Sequence, residues 1–172
     1  PDNGLSEEEI EWMRQGSILE DTPPRWINHF YNPETKTGWE AKNLGDIPQP
    51  VLQLFSSLVL SSQAPVSSLE WAHNQELQNE YRLYKGNRTW ERAIYDYAKG
   101  DKQRAFASLG YVLHLIEDAS VPDHTRSDTH ADIKGTSDKG SPYEKWAEEY
   151  TLSNNLKIAE VLFAENKKYE QY

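Results

Sequence analysis

Between Gly100 and Pro122 the chain carries one long uninterrupted helical signal, and the rest of the sequence has to be accommodated around it. Gly100 breaks the preceding segment and Asp101 offers a new N-cap. Lys102 to Ala119 then reads as a helix, with Phe106, Leu109, Leu113 and Ile116 forming an apolar face at i, i+3, i+7 and i+10. Val121-Pro122 ends it, because proline has no N–H for the helical ladder. No alternating strand pattern of any length occurs elsewhere. The expected class is therefore all-α: a multi-helix bundle with a long loop near each end.

The remaining segments are shorter. Leu5 to Gln15 is expected to be a helix with a capping box, Ser6 and Glu9, stopped by Gly16. Pro23-Pro24 and Asn32-Pro33 make the stretch to about Pro50 a structured loop without regular elements. Val51 to Ser62 fits a short helix or a strand. Ser67 or Ser68 caps a helix beginning Leu69-Glu70-Trp71, Gly86-Asn87 interrupts it, and a second helix covers Thr89 to Lys99. Asp123 to Gly140 reads as a polar loop. Ser141-Pro142 opens a last helical region, with Ser at the N-cap and Pro at the first position, and Asn154-Asn155 divides it.

Composition limits the chemistry. With 37% apolar and 27% charged residues the chain reads as globular rather than disordered. Its 172 residues are read as one helical domain. There is no cysteine, so disulfides and thiolate zinc sites are excluded and any metal must be held by His, Asp and Glu. A net charge of −10 argues against broad polyanion binding, although bound cations would reverse the sign locally. The most apolar stretch, Val51 to Leu60, is far shorter than the roughly 20 residues of a membrane span. No signal peptide is visible and the first residue is Pro1, which reads as a processed or trimmed product.

Histidine placement carries the functional signal. His114 and Asp118 are four apart on the strongest helix, and His124 and His130 follow at intervals of six. A His nitrogen and a carboxylate oxygen at that spacing share a helix face and can converge on one ion, at roughly 2.0–2.2 Å for zinc. The same pair can equally do no more than hydrogen-bond each other. On a wheel of about 100° per residue, His114 and Asp118 lie beside the apolar stripe. Gly110 one turn earlier leaves room above the imidazole for an ion, and Glu117 lies nearer the centre of the apolar face, where it needs a partner. His73 is read as structural or solvent-facing. Trp26, Trp39, Trp71, Trp90 and Trp146 are read mainly as packing residues, with Tyr31 or Trp39 as possible borders of a cleft.

The stretch Leu109-Gly110 through His114, Asp118, Pro122 and His124 resembles the core motif of the zinc-dependent phospholipase C and single-strand-specific nuclease family. A second block, Gly16 and Glu20-Asp21 followed by His29-Phe30-Tyr31-Asn32-Pro33, resembles the family's Gly…Asp segment and its His-Phe-Tyr-Asp-Pro, with Asn32 in place of Asp. A third, Ser141 to Trp146, resembles the segment supplying the last carboxylate ligand. The three blocks occur in order from Gly16 to Trp146. The resemblance implies a first zinc held by Asp21, His29, His114 and Asp118. It implies a second zinc held partly by His124 and Glu144, and a general-base role for Asp21. In the family, Asp118's counterpart also bridges to a third ion.

Two departures stand out. The family's second zinc has a further His four residues before the Glu, where this chain has Gly140. His130 is the expected substitute, with Asp138 and Asp128 as fallbacks. The family's third zinc uses an N-terminal Trp and a His soon after. This chain begins Pro1-Asp2-Asn3 and has no His before His29, so either an N-terminal segment is missing, which is the favoured expectation, or the third site is absent. The resemblance implies a zinc-dependent phosphodiester hydrolase, an enzyme with two zinc ions, acting on a phospholipid headgroup or single-stranded nucleic acid, and secreted or extracytoplasmic. The alternative is a non-catalytic helical domain with a structural metal site. Ligand imidazoles need acceptors to fix their tautomers, and Glu20 and Glu117 are the candidates.

Overall fold

A computed structural model describes residues 4–22, 25–39, 65–80, 87–128, 130, 140–151 and 153. Its elements are helical. Helix α1 spans Glu7–Glu20 and Arg25–Asn28 form a 3₁₀ turn. Then come α2 (Ser68–His73), α3 (Gln75–Glu80), α4 (Trp90–Ala98), α5 (Lys102–Asp118) and α6 (Pro122–Arg126). Residues 142–151 are helical as well. The nearest approach to a strand among the described residues is an isolated bridge between Asn32 and Thr37. The protein is all-α. It divides into two compact units, Pro1–Thr129 and His130–Tyr172. Val51 to Ser62, Gly86, Asp138 and Asn154-Asn155 lie outside the described residues.

Helix starts follow local chemistry. The Ser6–Glu9 capping box forms, with both reciprocal bonds present. Ser67, Thr89 and Asp101 cap α2, α4 and α5 through their side chains. Gly100, at φ +83, takes the left-handed conformation that ends α4. Ser141 accepts from the Glu144 N–H at 3.1 Å, as a cap should. Pro122 ends α5 and also starts α6, because proline suits the first position of a helix. A turn of helix therefore stands where the composition reads as loop, and Arg25–Asn28 likewise interrupts the expected irregular stretch.

Gly16 does not stop α1. The helix passes through it to Glu20. A Cβ at Gly16 would sit 2.0 Å from the Ala107 carbonyl oxygen, and one at Gly110 would sit 2.0 Å from the Met13 carbonyl oxygen. The two glycines are reciprocal contact points where α1 and α5 cross backbone to backbone. Gly110 therefore does not open space above His114, as the sequence suggested; α1 occupies that space.

The same crossing rotates α5 away from its expected orientation. Its buried residues are Ala105, Ser108, Gly110, Tyr111, Val112, Leu115 and Asp118. Of the expected apolar face, Ile116 is 61% exposed and Leu113 37% exposed. Glu117 is exposed too. Leu115 reaches the core cluster of Ile27, Phe30, Trp39, Trp71 and Ala72, with Trp26, Val66 and Leu77 against it. The chain around the 3₁₀ turn is tied down by Val66 N donating to Asn28 Oδ1 at 3.0 Å and Ser68 N donating to the Phe30 carbonyl at 2.9 Å. Ile27 and Phe30 enter the core on either side of His29. Burying those side chains fixes the backbone that presents the imidazole.

Candidate metal centre

Asp118 is the focus. It lies on the last turn of α5 and is 9% exposed. Three imidazoles surround its Oδ2: His29 Nδ1 at 2.8 Å, His114 Nε2 at 3.3 Å and His124 Nδ1 at 3.6 Å. They come from three places in the fold: the chain after the 3₁₀ turn, the preceding turn of α5, and α6. The rings pack on one another, with centroids 4.7 Å apart for His29–His114 and 6.1 Å for His29–His124. Phe30 stacks on His124 at 5.0 Å. The α6 backbone is fastened by Tyr31 N donating to the His124 carbonyl at 3.1 Å.

Despite these neighbours, Asp118 Oδ2 is buried with no hydrogen bond in acceptable alignment. Such an oxygen ordinarily finds a partner when buried. Three nitrogens crowded around one carboxylate oxygen are what a set of ligand atoms turned toward a shared cation looks like. Ligand atoms of His29, Asp118 and His124 lie within 4.8 Å of one another, as do those of Asp21, His29 and His114. Asp21, the C-cap of α1, is the open member: its side chain is 66% exposed and its Oδ1 lies 3.9 Å from His29 Nδ1. The donors are imidazole nitrogen and carboxylate oxygen only, a set that suits zinc.

Without a cation the cluster holds charge through protons. Burial works against a charged His29, but the carboxylates of Asp118 and Glu20 outweigh it and push its pKa up to about 9. Burial works to raise Asp118, yet His114, His29 and His124 together hold it well below the usual carboxylate range.

The sequence model of the family described as zinc-dependent phospholipase C matches residues 3–171. The chain belongs to the zinc-dependent phospholipase C family. No curated protein and no solved structure matched it in the comparisons made. Membership and the donor cluster agree on zinc as the cofactor and on hydrolysis as the chemistry.

Of the family-type residues expected from the sequence, Asp21, His29, His114, Asp118 and His124 fall together in the first unit. In the second unit His130 Nε2 lies 3.4 Å from Glu144 Oε1. Gly140, where the family has a His, takes φ +74. Of the fallback ligands, Asp128 is engaged by Arg126 at 2.6 Å and Asp138 lies outside the described residues. His73 is exposed and pairs with Glu91 at 2.8 Å, away from the cluster. Trp26, Trp39 and Trp71 do pack in or against the core, whereas Trp90 and Trp146 are 43% and 57% exposed.

Two side chains at the centre escaped the sequence reading. Ser17 Oγ lies 3.4 Å from His114 Nδ1. Arg25, 1% exposed, pairs with Glu20 at 2.6 Å. Ser17 would have been found had α1 been carried past Gly16, since Ser17 and Asp21 then share a face. A buried arginine has no signal in a single sequence.

Proposed function

We propose that the protein hydrolyses a phosphodiester at this centre, with a phospholipid-type headgroup ester as substrate. The observation that carries the reading is the buried Asp118 oxygen ringed by His29, His114 and His124. Asp21, His29, His114 and Asp118 are assigned as ligands of the first ion. When bound, zinc supplies Lewis-acid charge neutralisation and acidifies water at neutral pH.

The side chains perform the rest. Asp118 supplies the fixed negative charge that holds the imidazoles around one point. Asp21, open to solvent at the edge of the cluster, is the group placed to accept a proton from attacking water. The core beneath, through Ile27, Phe30 and Leu115, keeps His29 and Asp118 from relaxing apart. His130 and Glu144, with the family role of Glu144, are assigned to a second ion.

Family membership and the net charge of −10 favour a lipid headgroup over a long polyanionic nucleic acid. Among the described residues no helix is long and apolar enough to cross a membrane. The family habit supports an extracytoplasmic site of action. The test is turnover by zinc-loaded protein of phosphatidylcholine dispersions, single-stranded DNA and a chromogenic phosphodiester, side by side. Release of phosphocholine is expected. Cleavage of DNA alone would move the substrate to nucleic acid. Inactivity of fully zinc-loaded protein on all three would favour the other reading, a structural metal, which Gly140 in place of a ligand His supports.

A further inference from the structure

The last turn of α1 presents three side chains to the centre in helical register: Ser17, Glu20 and Asp21, at i, i+3 and i+4. Asp21 is a proposed ligand, and the other two touch the ligand imidazoles from behind. Ser17 Oγ meets His114 Nδ1 at 3.4 Å, while His114 Nε2 faces Asp118 Oδ2 at 3.3 Å. The Glu20 carbonyl oxygen meets His29 Nε2 at 3.2 Å, with its carboxylate Oε1 at 3.6 Å, while His29 Nδ1 faces Asp118 Oδ2 at 2.8 Å. In both rings one nitrogen is taken by α1 and the other points at the cluster. The two rings use opposite nitrogens to do so.

We propose that Ser17 and Glu20 are positioning residues that select the ring nitrogen each histidine offers to the ion: Nε2 for His114 and Nδ1 for His29. The proposal rests on the metal reading above. A neutral imidazole has one N–H and one lone pair. With the Ser17 hydroxyl accepting from Nδ1 of His114, and the Glu20 main-chain carbonyl backed by its carboxylate accepting from Nε2 of His29, the N–H is held there and the lone pair faces Asp118.

Glu20 is anchored for that task. It is fully buried and accepts from Arg25 Nε at 2.6 Å and Trp71 Nε1 at 2.7 Å. The Arg25 guanidinium lies between the Trp71 and Tyr111 rings, at 4.8 and 4.7 Å from their centroids, and bonds Gln78 Oε1 at 3.3 Å. A buried ion pair of this kind is weak evidence for a gain in stability. Fixing the direction of a ligand is a better reason for it to sit beside His29.

The experiment measures zinc affinity by competition with a chromophoric chelator, together with ¹⁵N NMR of the histidine rings in the zinc-loaded protein. The parent, Ser17→Ala, and the double variant Glu20→Gln with Arg25→Met are compared. The double variant removes both charges, so neither is left buried alone. Zinc on His29 Nδ1 and His114 Nε2 is expected in the parent. Affinity should fall about 10-fold in Ser17→Ala and about 10- to 100-fold in the double variant. Zinc on the opposite nitrogens in the parent, or parental affinity in both variants, would overturn the proposal, as would a lowered melting temperature with unchanged affinity. If the double variant does not fold, Ser17→Ala and the parent spectrum still decide. A parent that binds no zinc would fail the metal reading itself, which is a separate result.

Discussion

Asp118 concentrates the chemistry of the site in one atom. Its Oδ2 faces three imidazoles. Asp118→Asn keeps the shape but removes the charge, and zinc affinity should fall at least about 100-fold, as judged by competition titration. Parental affinity in this variant would show that Asp118 is not a ligand. The metal-free protein should also show a pH signature. His29 has its folded pKa raised from the ordinary 6.5 to about 9, with burial opposing and the Asp118 and Glu20 carboxylates prevailing. Its stabilisation is therefore complete below about pH 6.5 and is lost as pH rises through about 9. Asp118 shifts the other way: its contribution is present above the usual carboxylate pKa and is lost on acidification. Thermal melts in chelator should decline between about pH 7 and 9.5, by on the order of a few kcal/mol, and His29→Gln should flatten that limb. An unchanged limb in the variant would assign the dependence to another group.

At the scale of elements, the crossing of α1 over α5 makes the site. It places Ser17, Glu20 and Asp21 opposite His114 and Asp118. Gly16→Ala would drive a Cβ into the Ala107 carbonyl. A destabilisation of about 3 kcal/mol is expected in denaturant melts, with weakened zinc binding, because the backbones must separate. A neutral or stabilising result would mean that the helices do not cross so closely. This crossing is also where the sequence was hardest to read. Caps at Ser6 and Asp101, and Ser67 as one of two candidates, were legible because a cap depends on residues three apart, whereas Thr89, expected as the first helical residue, is the cap. The role of Gly16 was not, since a glycine that ends a helix and one that admits a neighbouring helix look alike in one dimension. The buried face of α5 was misjudged for the same reason. The crossing with α1 requires a residue without a side chain at Gly110, while the larger Leu113 and Ile116 stay at the surface.

For the whole molecule, the His114–Asp118 pair was legible from helical spacing, whereas His29 and Asp21 were legible only through the family motif. His29 and Asp21 precede His114 by 85 and 93 positions, and only the folded core brings them to it. Glu20 was a sequence candidate for orienting a ligand and does face His29, whereas Glu117, the other candidate, is exposed. His73, paired with Glu91 at the surface, serves as the control: His73→Ala should retain parental zinc content. A loss there would place a ligand outside the cluster described. The most direct test of the metal centre is zinc per chain by elemental analysis, on protein prepared without chelator and again after zinc is added back. Two ions per chain are expected, with at least one lost in Asp118→Asn. No zinc after add-back would contradict the account at its centre.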